Sequence, residues 1–447
     1  MAFTLDAFDA AIAGAIARGA SGRFVVALSG GLDSTVALHA LLEAASTESV
    51  RAIHVDHGLH PDSVQWRGHC RSLCAALGVR FTDAIVTVRP QQGESPEDAA
   101  RQARYRCLDA ELGDGETLVT GHHADDQLET MLLQLLRGAG PAGLAAMPVL
   151  TTFGRGWLCR PLLGFRRDEL ARWAESRELA WLEDPSNREV GFDRNFLRHE
   201  VLPPLRRRWP AAAMSAVRSA RHCGEALELM EALADADLIP ISQNGCLDVA
   251  GVADLTPARQ RNLLRRWMNR CGLTIPDARR LESILRDVIG ARGDAEPEVR
   301  WPGGAVRRYR GRLHGLDAAT LECLDQPQVE RSWDVDGALD LGPGMGRLRL
   351  VRATGIGIAA RWLEAGPLQV RRRAGGEKIR LAGRTGRRSL KKLLQEAGVP
   401  PWWRAHIPIV WQGSQLLSVG DLWYAAEASD EGPHAWQVIW EDRPEFS

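Results

Sequence analysis

Residues 24–34, FVVALSGGLDS, join an apolar run to a glycine pair and then to a helix start, and this junction constrains the fold more than any other part of the chain. An apolar run without alternation suits a strand buried on both faces. Glycines after it let the backbone turn tightly and aim N–H groups at an anion, and the following helix N-terminus adds partial positive charge. The loop is no Walker A motif, because GxxxxGK[ST] is absent. Lysine is absent here too: Lys378, Lys391 and Lys392 are the chain's lysines, and all lie late. Charge on a bound phosphate therefore falls to backbone, arginine and Mg²⁺, with Asp33 as the natural metal ligand, direct or through water. The bland alternative is a glycine turn with Ser34 capping a helix.

The same strand–helix alternation continues to about residue 190. Strands are expected at 24–29, 52–56, 81–88 and 117–121, with a fifth near 157–162; helices are expected at 34–45, 63–77, 96–112 and 125–136. That pattern predicts an α/β fold, a Rossmann-like parallel sheet with helices on both faces. Residues 195–290 read as helical with interleaved arginines, and 296–365 carry short β-like stretches among glycines. From 369 a compact α+β module is expected. A length of 447 residues fits two or three domains, placed at 1–215, 216–365 (mainly helical) and 366–447.

Function classes are narrowed by what the chain lacks. The first residues, MAFTLDAFDA, have no basic start, and Asp6 and Asp9 interrupt the apolar run, so no signal peptide is expected. No run is apolar enough to span a membrane. The eight cysteines include no CxxC pair, which argues against a zinc site or disulfide framework and for thiols in a cytoplasmic protein. Net charge is −1, yet residues 371–404 hold eleven Lys or Arg against two Glu, a net of +9, and 405–447 net −6. A near-neutral total thus conceals a basic patch suited to nucleic acid.

The remaining candidate residues gather at the carboxyl ends of the expected strands, where ligands of α/β sheets bind. The second strand delivers His57 and Gly58. The helix at 96–112 carries Arg101 and Arg104 on one face. The fourth strand delivers Gly121-His122-His123-Ala124-Asp125-Asp126-Gln127-Leu128-Glu129-Thr130. Asp126 and Glu129 project from one helix face, and two carboxylates beside a nucleotide are costly unless a cation lies between them. Asp125 alone reads as an acidic helix start favoured by the dipole.

SGGLDS resembles the pyrophosphate loop of the N-type ATP pyrophosphatases, which activate an oxygen as an adenylate and release pyrophosphate. GHHADDQLET, Leu135–Gly140 (LLRGAG), Arg160-Pro161-Leu162, Asp184-Pro185-Ser186-Asn187 and Asp193-Arg194-Asn195-Phe196-Leu197-Arg198 resemble, more narrowly, the tRNA(Ile)-lysidine synthetase family. Arg373-Ala-Gly-Gly-Glu377, Gly383-Arg384 and the run from Ser389 to Pro401 resemble that family's last domain. The resemblance covers residues 24–205 and roughly 369–425. It implies an adenine nucleotide α-hydrolase-like domain, a helical tRNA-contacting domain and a small α+β tRNA-binding domain.

The implied reaction adenylates O2 of the wobble cytidine of a CAU-anticodon tRNA(Ile) with ATP. The amine of free L-lysine then attacks C2 and expels AMP. On this reading Ser29, Gly30, Gly31, Leu32, Asp33, Ser34 and His57 bind ATP, and Asp126 and Glu129 bind lysine. Asp33, His122, Asp126, Arg101 and Arg104 are catalytic candidates. His122, Asp126 and a departing phosphate oxygen all remain open as the group that deprotonates the amine. Arg194, Arg198, Arg387, Arg388, Lys391 and Lys392 are the tRNA candidates. Trp402 and Trp403 offer stacking surface, though packing is the favoured reading. No membrane and no obligate protein partner are implied. A tRNA thiolase on the same loop is disfavoured by isolated cysteines, and a non-catalytic RNA-binding protein by the intact Asp33, Asp126 and Glu129.

Overall fold

Phe24–Ala27 is buried at all four positions and forms strand β1 at the centre of a six-stranded sheet. Its side chains alternate between two cores. Phe24 and Val26 pack with helices α1 (Leu5–Ala17) and α2 (Leu32–Ala44), while Val25 and Ala27 face the cluster of Leu108 and Leu112. A strand covered on both faces needs no polar side, which is why the sequence shows none. This computed structural model describes residues 3–45, 47–56, 58, 62–87, 96–183, 193–292, 295–326, 330–381, 384, 386–430 and 435–444.

The chain continues through β2 (Val50–Asp56), α3 (Ser63–Ala76), β3 (Arg80–Ile85), α4 (Pro96–Glu111), β4 (Thr117–Val119) and α5 (Ala124–Leu136). A short turn of helix, α6 (Pro141–Leu144), leads to β5 (Leu150–Phe153) and β6 (Gly156–Cys159), and α7 spans Arg167–Ser176. The strand order is β3-β2-β1-β4-β6-β5. β1 pairs in parallel with β2 and with β4, so the chain builds outward on one side of β1 and then returns to its other side. That reversal opens a crevice at the carboxyl ends of β1 and β4.

The sheet is parallel except at one edge, where β5 runs antiparallel to β6. The all-parallel expectation missed β5 because Leu150–Phe153 (LTTF) is a four-residue stretch with no buried position, and its pairing with β6 is made by a tight hairpin rather than by apolar pattern.

The chain divides into two units, 1–229 and 230–447, and the helix Ala212–Ile241 contains the division. In the second unit an antiparallel sheet runs in the order Ser242–Gln243, Cys246–Asp248, Arg312–Asp317, Gly304–Tyr309, Glu298–Trp301. It shares a core with the helix Pro257–Arg270, whose Leu263, Leu264 and Trp267 are buried. The helical expectation for 216–365 therefore holds only in part: strands at 242–243 and 246–248 interrupt it and strands dominate after residue 297, so the middle segment is mixed. The interleaved arginines of this segment largely have acid partners: Arg259 pairs with Asp237, Arg261 with Glu282 and Arg266 with Asp235.

Strand pairing crosses the boundary expected at 365/366. Arg331–Trp333 pairs with Leu368–Arg372, and Arg347–Ala353 pairs along its length with Ala435–Glu441. Trp333, Leu348 and Ile358 lie in one core with Leu368, Val410 and Trp440. The C-terminal module thus begins near residue 331, because its two sheets each borrow strands from before 365. Trp403 is buried in that core, and Trp402 packs edge-on against His314 at 5.2 Å between ring centres. Both tryptophans serve packing. Among the described residues no helix is long and apolar enough to cross a membrane.

Candidate active site

Two loops meet at the crevice. The first follows β1. Gly30 sits at φ +84°, a conformation that favours glycine, and a Cβ there would lie 3.0 Å from Cys70 Sγ. Ser34 Oγ donates to the Gly31 carbonyl at 3.0 Å and accepts from the Ser29 amide at 3.2 Å, pinning the turn. Gly31 is the N-cap of α2 and supplies no side-chain cap. The first-turn amides of α2 are therefore left for an external anion.

The second loop follows β4 and lies directly on the first. A Cβ at Gly121 would fall 2.7 Å from the Asp33 carbonyl carbon. Only glycine fits that approach, and the turn it makes sets His123 beside Asp33.

His123, one residue after His122, was given no role by the sequence reading. It is buried and caps α5, and the Asp126 carboxylate accepts from the His123 amide at 3.0 Å. The ring faces three carboxylates: Asp33 at 3.6 Å from Nε2, and Asp126 and Asp125 at 3.4 and 3.8 Å from Nδ1. Burial disfavours its charge, but Asp126, Asp33 and Asp125 outweigh burial and push its pKa up to about 9. Charged, the ring donates to the carboxylates; neutral, Nδ1 accepts from the Asp126 amide at 3.4 Å.

His122 has the opposite surroundings. Its Nδ1 is 2.8 Å from Thr120 Oγ1. Burial, followed by Arg160, Arg104, Arg101 and Arg194, holds its pKa well below the usual value, so the ring is neutral at pH 7. Arg104 is half-buried, and Arg101 lies over the Tyr105 ring at 5.1 Å. Buried Arg160 donates to the Pro148 carbonyl at 2.9 Å. None of Arg101, Arg104 and Arg160 has an acid partner among the described residues, so this side of the crevice is a cationic pocket. Arg160 was quoted as part of a motif but assigned no role, because nothing in its local sequence shows that it converges on the Arg101–Arg104 face.

The paired carboxylates are where the spacing put them, and a cation already meets them. Glu129, 1% exposed, takes a two-pronged contact from Arg198, Nε to Oε1 and Nη2 to Oε2, both at 2.9 Å. Arg198 Nη2 also reaches Asp126 Oδ1 at 3.4 Å. Burial pushes the Glu129 carboxyl up against the pull of Arg198. Arg198, expected at an RNA phosphate, makes an inward contact in this structure. A π-helical turn, Leu197–Val201, presents it there. Arg194 donates to Thr130 Oγ1 at 3.1 Å. Asp125 is tied to the Arg167 amide at 2.9 Å and to Arg206 at 2.6 Å, a structural role.

Asp33 Oδ1 is buried and has no hydrogen-bond partner. An acceptor in that position fits a divalent cation, and among the described residues no cluster of three or more His, Cys, Asp or Glu could hold one alone. A metal here would take the rest of its oxygens from phosphate and water. His57, Asp184–Asn187 and Gly383 lie outside the described residues. A cavity of about 370 Å³ lies at the opposite, amino edge of the strands, where Arg51 and Glu116 pair at 2.6 Å. It contains none of the groups above.

In the second unit the basic patch is partly neutralised. Arg388 pairs with Glu396 at 2.6 Å, and Arg380 and Arg387 approach Glu427 at 3.1 and 4.0 Å. Lys391 and Lys392 are exposed and have no ion-pair partner among the described residues.

Comparison with known proteins agrees with this layout. Residues 6–205 match the family model of the PP-loop domain, 247–314 that of the TilS substrate binding domain, and 368–440 that of the TilS substrate C-terminal domain. The chain is 47% identical over 406 residues to the tRNA(Ile)-lysidine synthase of Alkalilimnicola ehrlichii, covering 90% of each chain. It is 45% identical to that of Methylococcus capsulatus, covering 90% of this chain and 92% of the relative. It is 42% identical to that of Coxiella burnetii, covering 89% and 88%.

Proposed function

The chain belongs to the tRNA(Ile)-lysidine synthase family, and from that premise we propose how its crevice carries out the family's ATP-dependent ligation. The enzyme forms lysidine on tRNA(Ile). The observation that carries the assignment of roles is the meeting of the Ser29–Ser34 loop with the turn that begins at Gly121, where His123 Nε2 lies 3.6 Å from Asp33 and Arg198 joins Asp126 and Glu129, at one strand-order reversal.

The free first-turn amides of α2 and the residues Ser29 to Ser34 receive the phosphates of ATP. Asp33 is the protein ligand of Mg²⁺, which when bound neutralises phosphate charge. Arg101, Arg104 and Arg160 line the path of the leaving pyrophosphate and of the AMP phosphate, where preorganised donors lower the cost of developing charge. O2 of the wobble cytidine of a CAU-anticodon tRNA attacks the α-phosphorus and pyrophosphate leaves. Free L-lysine is the second substrate, with an ammonium set against Asp126 and Glu129. Its reacting amine must arrive without a proton, attacks C2 and expels AMP. His122 is a neutral base beside this path. An incoming phosphate offsets the surrounding arginines and raises the ring's affinity for a proton, which suits it to accept one. Lys391 and Lys392 lead the phosphate contacts of the C-terminal module, and the enzyme works in the cytoplasm where unmodified tRNA is found.

The test is incubation with ATP, lysine and an unmodified CAU-anticodon transcript, followed by nucleoside mass analysis. The expected product is cytidine with lysine joined and one water lost. Mass gain from sulfur, or AMP release without lysine, would overturn the reading.

A further inference from the structure

A second cavity, about 140 Å³, lies in the C-terminal module against the strands Leu368–Arg372 and Pro408–Gln412. Arg331, Arg371, Arg372 and His406 line it, with Leu341 and Met345 as apolar wall, and among the described residues no carboxylate lines it. The three arginines differ in how they are compensated. Arg371 donates to Glu330 Oε1 at 2.8 Å and to the Gln369 side chain. Arg331 donates to the Asp340 carbonyl at 2.7 Å. Arg372 donates to the Gln326 carbonyl at 3.3 Å and to His406 Nδ1 at 2.9 Å.

Arg331 and Arg372 therefore have no acid partner among the described residues, and residues 327–329, Pro-Gln-Val, bring no acidic side chain. A guanidinium is always charged, so His406 Nδ1 must be the acceptor and the ring neutral. Burial and Arg372 hold its pKa down, at about 4, in keeping with that geometry. Two half-buried cations beside a neutral ring are unfavourable in isolation. Each guanidinium has five N–H donors, and the contacts above leave most of them open.

The geometry points to an anion site that binds a phosphate group, the forked guanidinium donors of Arg331 and Arg372 sharing its oxygens. A planar carboxylate fills one fork, whereas a phosphate offers oxygens and charge enough for two. The phosphate comes either from an RNA backbone or as free inorganic phosphate. The RNA source rests on the tRNA-modifying function proposed above; the free-anion source does not.

The experiment uses the full chain, with Arg331→Gln/Arg372→Gln and Arg331→Lys/Arg372→Lys variants. In the first arm, binding of a CAU-anticodon transcript is measured across a salt series. For an RNA phosphate, the Gln pair weakens binding about ten- to hundredfold and reduces the slope of log K against log[salt] by about 1. The Lys pair keeps the slope and loses part of the affinity. In the second arm, thermal unfolding is followed with inorganic phosphate against acetate at matched ionic strength. For free phosphate, the wild type shows a stabilisation that acetate does not give, that the Gln pair lacks and that the Lys pair shows only in part. A Gln pair that melts like the wild type and is unchanged in both arms overturns the proposal. If the Gln pair does not fold, the Lys pair decides: unchanged transcript affinity together with unchanged phosphate stabilisation overturns it equally. A wild type that binds no transcript in the first arm defeats the tRNA function instead, leaving the second arm to judge the cavity.

Discussion

The crevice of the first unit and the cavity of the second each enclose a buried histidine, and their surroundings drive the two rings in opposite directions. His123 sits among Asp33, Asp125 and Asp126 and is pushed up to about 9. His406 sits against Arg372 and is pushed down to about 4. Both pay for burial, so burial cannot account for the difference; the sign of the neighbouring charge does. The crevice repeats the contrast internally. His122, one residue before His123, faces arginines and is held neutral. Carboxylates thus surround one ring and arginines the other, within one strand-to-helix turn. The C-terminal cavity has only the second kind of chemistry, which fits contact with an anion and no bond making.

The largest effect that would break this comparison is at Asp33. Asp33→Ala should abolish AMP formation and leave transcript binding within about twofold, because the loop addresses phosphate and metal and not RNA. AMP formation at the wild-type rate would remove Asp33 from the ATP site. Next in size are Asp126→Asn and Glu129→Gln. Each removes a charge-assisted contact worth about 1.5–3 kcal/mol, so the KM for lysine should rise about ten- to hundredfold while that for ATP changes little. A rise in ATP KM alone would place both carboxylates with the metal.

A smaller effect separates paired from unpaired cations in the C-terminal module. Lys391→Glu/Lys392→Glu should lower the slope of log K for tRNA against log[salt] by about 2. Arg387→Glu/Arg388→Glu should change it less, because Glu427 and Glu396 already offset those charges. Equal slopes for the two double variants would show that the ion pairs open on binding.

The smallest effects are on stability against pH, and they test the two histidines directly. The raised His123 stabilises the fold fully below its unfolded pKa near 6.5, and this contribution is lost as pH rises through about 9. The lowered His406 works the other way. The unfolded chain takes up its proton near 6.5 and the folded chain near 4, so stability falls as pH drops through that interval. Melting temperatures of His123→Asn and His406→Asn, each against the wild type from pH 4 to 9.5, should flatten the alkaline and the acid limb respectively. A variant that flattens the wrong limb, or neither, refutes the charge assigned to that ring.

Local pattern was enough for much of the first unit. The apolar run at 24–27, the glycine turn after it and the helix start at Leu32 are short-range features, and α2, α3, α4 and α5 begin and end within two residues of the positions read from the chain. The Asp126–Glu129 face followed from helical spacing alone. Sequence did not reveal β5, a hairpin edge without burial pattern, nor the start of the C-terminal module near 331, where strands pair with partners about 40 to 90 residues away.

What the sequence determined by itself is therefore most of the strand–helix order of the first unit, the glycine loop and the two carboxylates, because each depends on neighbours within a few residues. Tertiary structure decided which charges meet. Arg198 turns inward onto Glu129 from 69 residues away, and Arg160 joins Arg101 and Arg104. Arg388 finds Glu396, and Lys391 and Lys392 find no acid partner among the described residues. A side chain's charge is written in the chain, but its protonation, its partner and hence its role depend on distance and dielectric, and these exist only after the fold has brought remote residues together.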